Sequence, residues 1–91
     1  RARIDRIERF SGPDLRMVRE ALGISLDQVA RITRIGREYL KDIEEENFGA
    51  LPPPVFLRGY LSCYAACLRL DGARVARDIM ARYEARRAGG D

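Results

Sequence analysis

Aromatic and cationic side chains, rather than acid–base or nucleophilic groups, carry whatever chemistry this 91-residue chain performs. It has no histidine, which removes the commonest general base and metal ligand. Its two cysteines, Cys63 and Cys67, stand four residues apart on a predicted helix. Side chains rising in parallel from one helix are poorly placed for a disulfide. Without a third or fourth soft ligand they cannot build a structural zinc site. They read as buried, reduced thiols in a cytoplasmic protein. No spacing of acids or nucleophiles marks an enzyme, and no metal or cofactor is called for. What remains is recognition. Phe56, Tyr60 and Tyr64 recur at helical spacing in a chain with three Phe, four Tyr and no Trp. Arg58 lies close to them in sequence, and aromatics and Arg most often carry interface energy. Arg34 and Arg37 form a second candidate set, able to reach DNA bases or phosphates.

The scaffold for these groups is small. An apolar fraction of 46% and a charged fraction of 34% fit one soluble globular domain. No apolar run approaches the ~20 residues that span a bilayer, and no signal peptide precedes the domain. The chain starts on Arg1 rather than Met and ends in Gly89, Gly90 and Asp91, so a segment of a longer protein is expected. A net charge of +3 permits a nucleic-acid partner without demanding one.

Periodicity and caps predict an all-α fold. Residues 1–10 carry Ile4, Ile7 and Phe10 at three-residue spacing and read as a short helical extension or linker. Ser11, Gly12 and Pro13 break that segment, with Pro13 suited to open a new helix. Leu15, Val18 and Leu22 give this second helix an inner face, and Gly23 ends it in the left-handed conformation. Ser25 and Gln28 then form a capping box, with Ile24 and Val29 as its hydrophobic staple. A helix over 26–32, a turn at 33–36 and a helix over 36–46 burying Tyr39, Leu40 and Ile43 make a helix-turn-helix pattern. Phe48 and Leu51 tuck under the bundle from an irregular link at 47–53. Pro54 starts the aromatic helix, which reaches residue 68 or 69. Asp71 caps a last helix, with Leu70 and Val75 as a second staple and Val75, Ala76, Ile79 and Tyr83 facing inward. The domain therefore spans 11–87, and 88–91 form a disordered tail.

Charge placement bears on the partner. Between 36 and 47, Arg37 and Lys41 stand against Glu38, Asp42, Glu44, Glu45 and Glu46. A local charge of −3 disfavours insertion of this helix into the major groove, because each carboxylate opposes the counterion-release gain. The acidic run itself is either solvated surface or a feature that serves a partner. Arg74, Arg77, Arg82, Arg86 and Arg87 form a further basic surface on the last helix, interrupted by Asp78 and Glu84, and read as ordinary exposed helix.

Projected at about 100° per residue from Phe56, the aromatic helix has an apolar arc roughly 160° wide. Cys63, Phe56, Cys67 and Tyr60 fall at one side of the arc; Tyr64, Leu57, Leu68 and Leu61 fall at the other. Two readings fit. Either the whole arc is core, or the leucine side is core and the Phe56/Tyr60 edge is exposed. Gly59, unfavourable inside a helix, points to close approach of another backbone, inside or outside the domain.

The run from Leu15 to Leu26, followed by Val29 and Ala30, Thr33 to Ile35, Tyr39 and Leu40, and Ile43 and Glu44, resembles the RodZ-type helix-turn-helix domain. This half is shared with many Xre-like DNA-binding domains. More specific are Phe48, Leu51 and Pro52, the series Phe56, Leu57, Arg58, Gly59 and Tyr60, and Tyr64 with Ala65. The resemblance covers residues 15–83. It implies a five-helix bundle of the Xre or lambda-repressor type and a noncatalytic role in bacterial cell shape. It also implies binding to the actin-like protein MreB, to which Phe56 and Tyr60, with Arg58, would contribute. DNA binding by Arg34 and Arg37, as in an Xre regulator, is the alternative. Family members place this domain on the cytoplasmic side of a single transmembrane helix, followed by a periplasmic part. They also begin their first helix near the N-terminus, so the residues before Ser11 raise the expectation of an upstream domain here.

Overall fold

The structure, a computed structural model, describes residues 7–89. Five α-helices follow one another: α1 (Gly12–Ala21), α2 (Leu26–Thr33), α3 (Arg37–Glu45), α4 (Pro54–Cys67) and α5 (Gly72–Gly89), with a 3-10 turn (Phe48–Ala50) between α3 and α4. No strand occurs among the described residues.

Local chemistry sets most boundaries. Ser11 caps α1 through a capping box with Asp14, whose carboxylate accepts the Ser11 N–H at 3.0 Å. Pro13 lies in the first turn, where its missing N–H costs nothing. At the other end Gly23 adopts φ +73°. The Gly23 and Ile24 N–H groups donate back to Glu20 and Arg19 carbonyls at 3.0 and 3.1 Å, a Schellman ending. The Ser25/Gln28 box forms as expected, at 3.1 and 2.8 Å. Arg34 and Glu46 end α2 and α3 in the left-handed region, at φ 64° and 54°. Asp71 accepts the Ala73 and Arg74 N–H groups to start α5.

α4 packs most extensively on α5 and also meets α2, while α3 packs on α1 and α2. Tyr64, Leu57, Leu61, Leu40, Ile43, Leu15, Val29, Val75 and Ile79 form a fully buried centre. Phe48 closes one end by meeting the Tyr83 ring edge-on, centroids 5.8 Å apart.

Residues 1–10 carry the expectation of a short helix or a linker, of which the described part, residues 7–10, forms no helix. Residues 7–10 are irregular and lie along α5. The Phe10 ring is buried in the core, and its N–H donates to the Asp78 carboxylate at 3.0 Å. Arg74 lies over that ring at 5.0 Å and donates to the Glu8 carbonyl at 2.9 Å and to the Ile7 carbonyl. Tertiary partners on α5 thus override a weak local helix signal. The expected helix position of Ile4 lies outside the described residues. At the other terminus α5 remains helical through Gly89, so its end falls two residues past 87.

Candidate partner-binding face

The face is set by how α4 is held. Leu57, Leu61, Tyr64, Ala65 and Leu68 are buried, while Phe56 is 57% and Val55 77% exposed. Arg58, Gly59, Cys63 and Ala66 are also exposed. Tyr60 sits at the border, half-buried, its ring 5.7 Å from the Tyr39 ring and tilted 45°. The arc therefore divides into a leucine side with Tyr64 in the core and an edge led by Phe56 in solvent. Among the described residues Arg58 makes no ion pair.

Buried polar groups lock this orientation. The Tyr64 hydroxyl donates to the Glu44 carboxylate, which is itself only 5% exposed. Arg19, also buried, grips Glu44 with two parallel bonds of 2.7 and 3.1 Å and spends a third donor on the Ile24 carbonyl at 2.8 Å. Burial, then the hydrogen bond to Glu44 and the Glu44 charge, push the Tyr64 phenol far above its usual range. The Glu44 hydrogen bond in turn holds Arg19 charged. One residue from each of α1, α3 and α4 is thereby fixed to the others.

Glu46 is also structural. Its carboxylate accepts the Gly12 N–H at 2.9 Å and a bidentate pair from Arg82 at 2.7 and 2.6 Å. Burial alone would raise this carboxyl, but Arg82 and the Gly12 N–H outweigh burial and hold it below the usual range. The acidic run is thus neither solvated surface nor a partner feature at these two positions; Glu38 and Glu45 are exposed and Asp42 half-buried. The basic surface expected on α5 is likewise engaged. Arg74 clamps the extension, Arg77 pairs with Asp78 at 3.0 Å, and Arg82 holds Glu46. Arg86 and Arg87 lie over the Phe48 and Tyr83 rings.

Other sequence expectations are corrected here. Tyr39 is 38% and Leu22 50% exposed, because the bundle covers a narrower arc of α3 and α1 than their apolar spacing implies. Cys63 is exposed, against the expected burial, and Cys67 is half-buried against the core; burial pushes the Cys67 thiol up. Val55, on the exposed edge, was not singled out in the sequence. It lies about 100° from Phe56 and away from the leucine side, a signal the projection already contains.

Arg34 and Arg37 stand at the helix-turn-helix turn, both exposed, Arg34 at the end of α2 and Arg37 at the start of α3 two residues before Tyr39. Arg37 is held by Asp27 at 2.8 Å. With Glu44 and Glu46 turned inward, the outward charge of this element is close to −1 rather than −3, from Arg37 and Lys41 against Glu38, Asp42 and Glu45. No helix among the described residues is long and apolar enough to cross a membrane.

A protein family described as a helix-turn-helix domain matches residues 14–75. The cytoskeleton protein RodZ of Streptococcus pneumoniae (strain ATCC BAA-255 / R6) is 37% identical over 60 residues, covering 66% of this chain and 22% of that protein. The chain therefore spans less than a quarter of the length of this curated relative. No solved structure matches it.

Proposed function

Because the chain belongs to the RodZ-type helix-turn-helix family, we propose that it is a noncatalytic interaction domain whose α4 edge binds an actin-like filament protein of the MreB type. The observation that carries this reading is Phe56, a large aromatic left more than half exposed on a helix anchored at Tyr64. Val55 and the half-buried Tyr60 extend the apolar patch; Arg58, exposed but about 160° around the helix from Phe56, borders it only beyond Val55. A rigid aromatic on a fixed helix loses little entropy on docking, which suits it to anchor an interface.

The test is Phe56→Ala, alone and with Tyr60→Ala, against a purified MreB-type protein in a surface-binding assay. Losing one anchor of this kind costs at least ~2 kcal/mol, so the single variant should bind about 30-fold more weakly. Its thermal unfolding should stay within about 0.5 kcal/mol of the parent, since Phe56 packs little within the domain. Unchanged affinity would sink the proposal.

DNA binding is the second reading, favoured by the smaller outward acidity of α3. Against it, Arg37 is engaged by Asp27 and Tyr39 leans on Tyr60. Submicromolar duplex binding, steeply salt-dependent and lost in Arg34→Ala with Arg37→Ala, would replace the protein-partner reading.

A further inference from the structure

Residues 7–10 are held in a way that lets them leave the bundle without disturbing it. Among the described residues they make no helix or strand bonds of their own. Two side chains one turn apart on α5 supply their main-chain contacts. Asp78 accepts the Phe10 N–H, and Arg74 donates to the Ile7 and Glu8 carbonyls. Everything from Ser11 onward is secured separately. The Ser11 N–H goes to Asp14 inside the capping box, and the Gly12 N–H goes to Glu46. The start of α1 therefore keeps its partners whether or not residues 7–10 stay in place. The junction of Phe10 with Ser11 is the natural hinge.

The α5 groups are equally prepared for that departure. Arg74 and Asp78 stand four residues apart, with 3.9 Å between guanidinium and carboxylate, and Arg77 already holds Asp78 at 3.0 Å. When the Phe10 N–H and the two carbonyls withdraw, these three side chains close on one another, so no buried charge is orphaned. Nor is the contact flush. A groove of about 530 Å³ opens between Glu8 and Arg9 on one side and Arg77, Asp78 and Arg82 on the other. What opening gives up is mainly the burial of the Phe10 ring and the stacking of Arg74 on it at 5.0 Å. The backbone freedom that four residues regain works in the other direction.

We propose that residues 7–10 form a latch on α5, hinged at Ser11, which opens and closes as a unit while the five helices stay folded. Opening bares the socket of the Phe10 ring beside Arg74 and Asp78, and closing covers it. Ile7, Phe10 and Asp78 all lie outside residues 14–75, the part matched by the family. The latch also stands independently of what the α4 edge binds.

Amide hydrogen exchange on the full chain, read residue by residue by NMR, tests this. The Phe10 N–H should be protected, yet exchange at least about tenfold faster than the Leu61 and Ile79 amides of the buried centre. Urea below the unfolding transition should leave the Phe10 rate nearly unchanged, because opening exposes little surface, while the core amides speed up. Phe10→Ala sets an independent limit. If the latch opens by itself, losing its ring lowers core protection by no more than the factor that protects the Phe10 N–H in the parent. A Phe10 N–H that exchanges at the core rate with the core urea dependence overturns the proposal, as does one with no protection at all. A Phe10→Ala variant that fails to fold, or that loses more core protection than this limit, overturns it too.

Discussion

Glu44→Ala is the sharpest probe of how this domain holds α4. The carboxylate is 4% exposed at the side chain and faces an Arg19 side chain that is 10% exposed. Removing it leaves the guanidinium buried without a counter-charge and the Tyr64 hydroxyl without its acceptor. Breaking one side of a buried ion pair costs about 3–5 kcal/mol, and an orphaned buried hydroxyl about 1–3 kcal/mol. The two losses share one group and do not add in full, so a net loss of about 4 kcal/mol is expected. A domain of this size has about 5–15 kcal/mol to lose. At a urea m-value of roughly 1.5 kcal/mol/M, the unfolding midpoint should fall by about 2.5 M. Urea titration followed by helical circular dichroism reads this directly, with Glu45→Ala, exposed one residue along, as a control expected within about 0.5 kcal/mol. The triple variant Arg19→Met, Glu44→Leu, Tyr64→Phe should recover most of the loss, since it removes every partner together. A loss below about 1 kcal/mol for Glu44→Ala, or no recovery in the triple variant, would refute the buried network.

Gly12→Ala should destabilise by about 3 kcal/mol in the same titration, because its methyl would drive into the Ile43 and Glu44 carbonyl oxygens, 2.1 and 2.8 Å away. Acid should unfold the domain through Glu46 and Asp78. Burial raises the Asp78 carboxyl, but the Phe10 N–H, Arg77 and Arg74 outweigh it, so both groups are held below their ordinary values. Depressed folded pKa values mean that the stabilisation is fully present above about pH 5 and is lost as pH falls below about 4 through the folded values. Urea midpoints measured from pH 7 to 3 should therefore fall less steeply in Glu46→Gln with Asp78→Asn than in the parent; parallel curves would contradict the assignment.

What the sequence reveals is local. The Ser25/Gln28 box and the left-handed Gly23 depend on residues within three or four positions, and both form as expected. The division of α4 depends on one helix's own periodicity, which a 100° projection captures. What it conceals depends on distance in the chain. Glu44 finds Arg19 across 25 residues, and Glu46 finds Gly12 and Arg82 across 34 and 36. Counting charges along α3 could not reveal that two of five carboxylates point inward. Nor does projection separate them: with Leu40 and Ile43 as the inner face of α3, Glu44 falls about 40° beyond one edge and Tyr39 about 40° beyond the other, yet one is buried and the other exposed. Residues 7–10 make the same point, since apolar spacing left helix and linker both open and the partners that hold the irregular backbone, Asp78 and Arg74, lie more than 60 residues away.

That inward turn alters what the charge of α3 says about function. An acidic second helix argued against DNA only while its carboxylates faced a polyanion. With Glu44 and Glu46 committed to Arg19 and Arg82, the remaining outward charge is close to neutral and weighs little either way. The case for a protein partner must then rest on shape and burial. Tyr39, near the start of the helix that would read a major groove, spends its ring on Tyr60 of α4. This joins the exposed ends of α3 and α4 into one aromatic surface that leads to Phe56. A groove-reading helix needs its first turn free to follow base edges. An interface anchor needs the opposite, neighbours that hold it still before the partner arrives. The packing of Tyr39 on Tyr60, and of Tyr64 on Glu44 beneath them, meets the second requirement and works against the first.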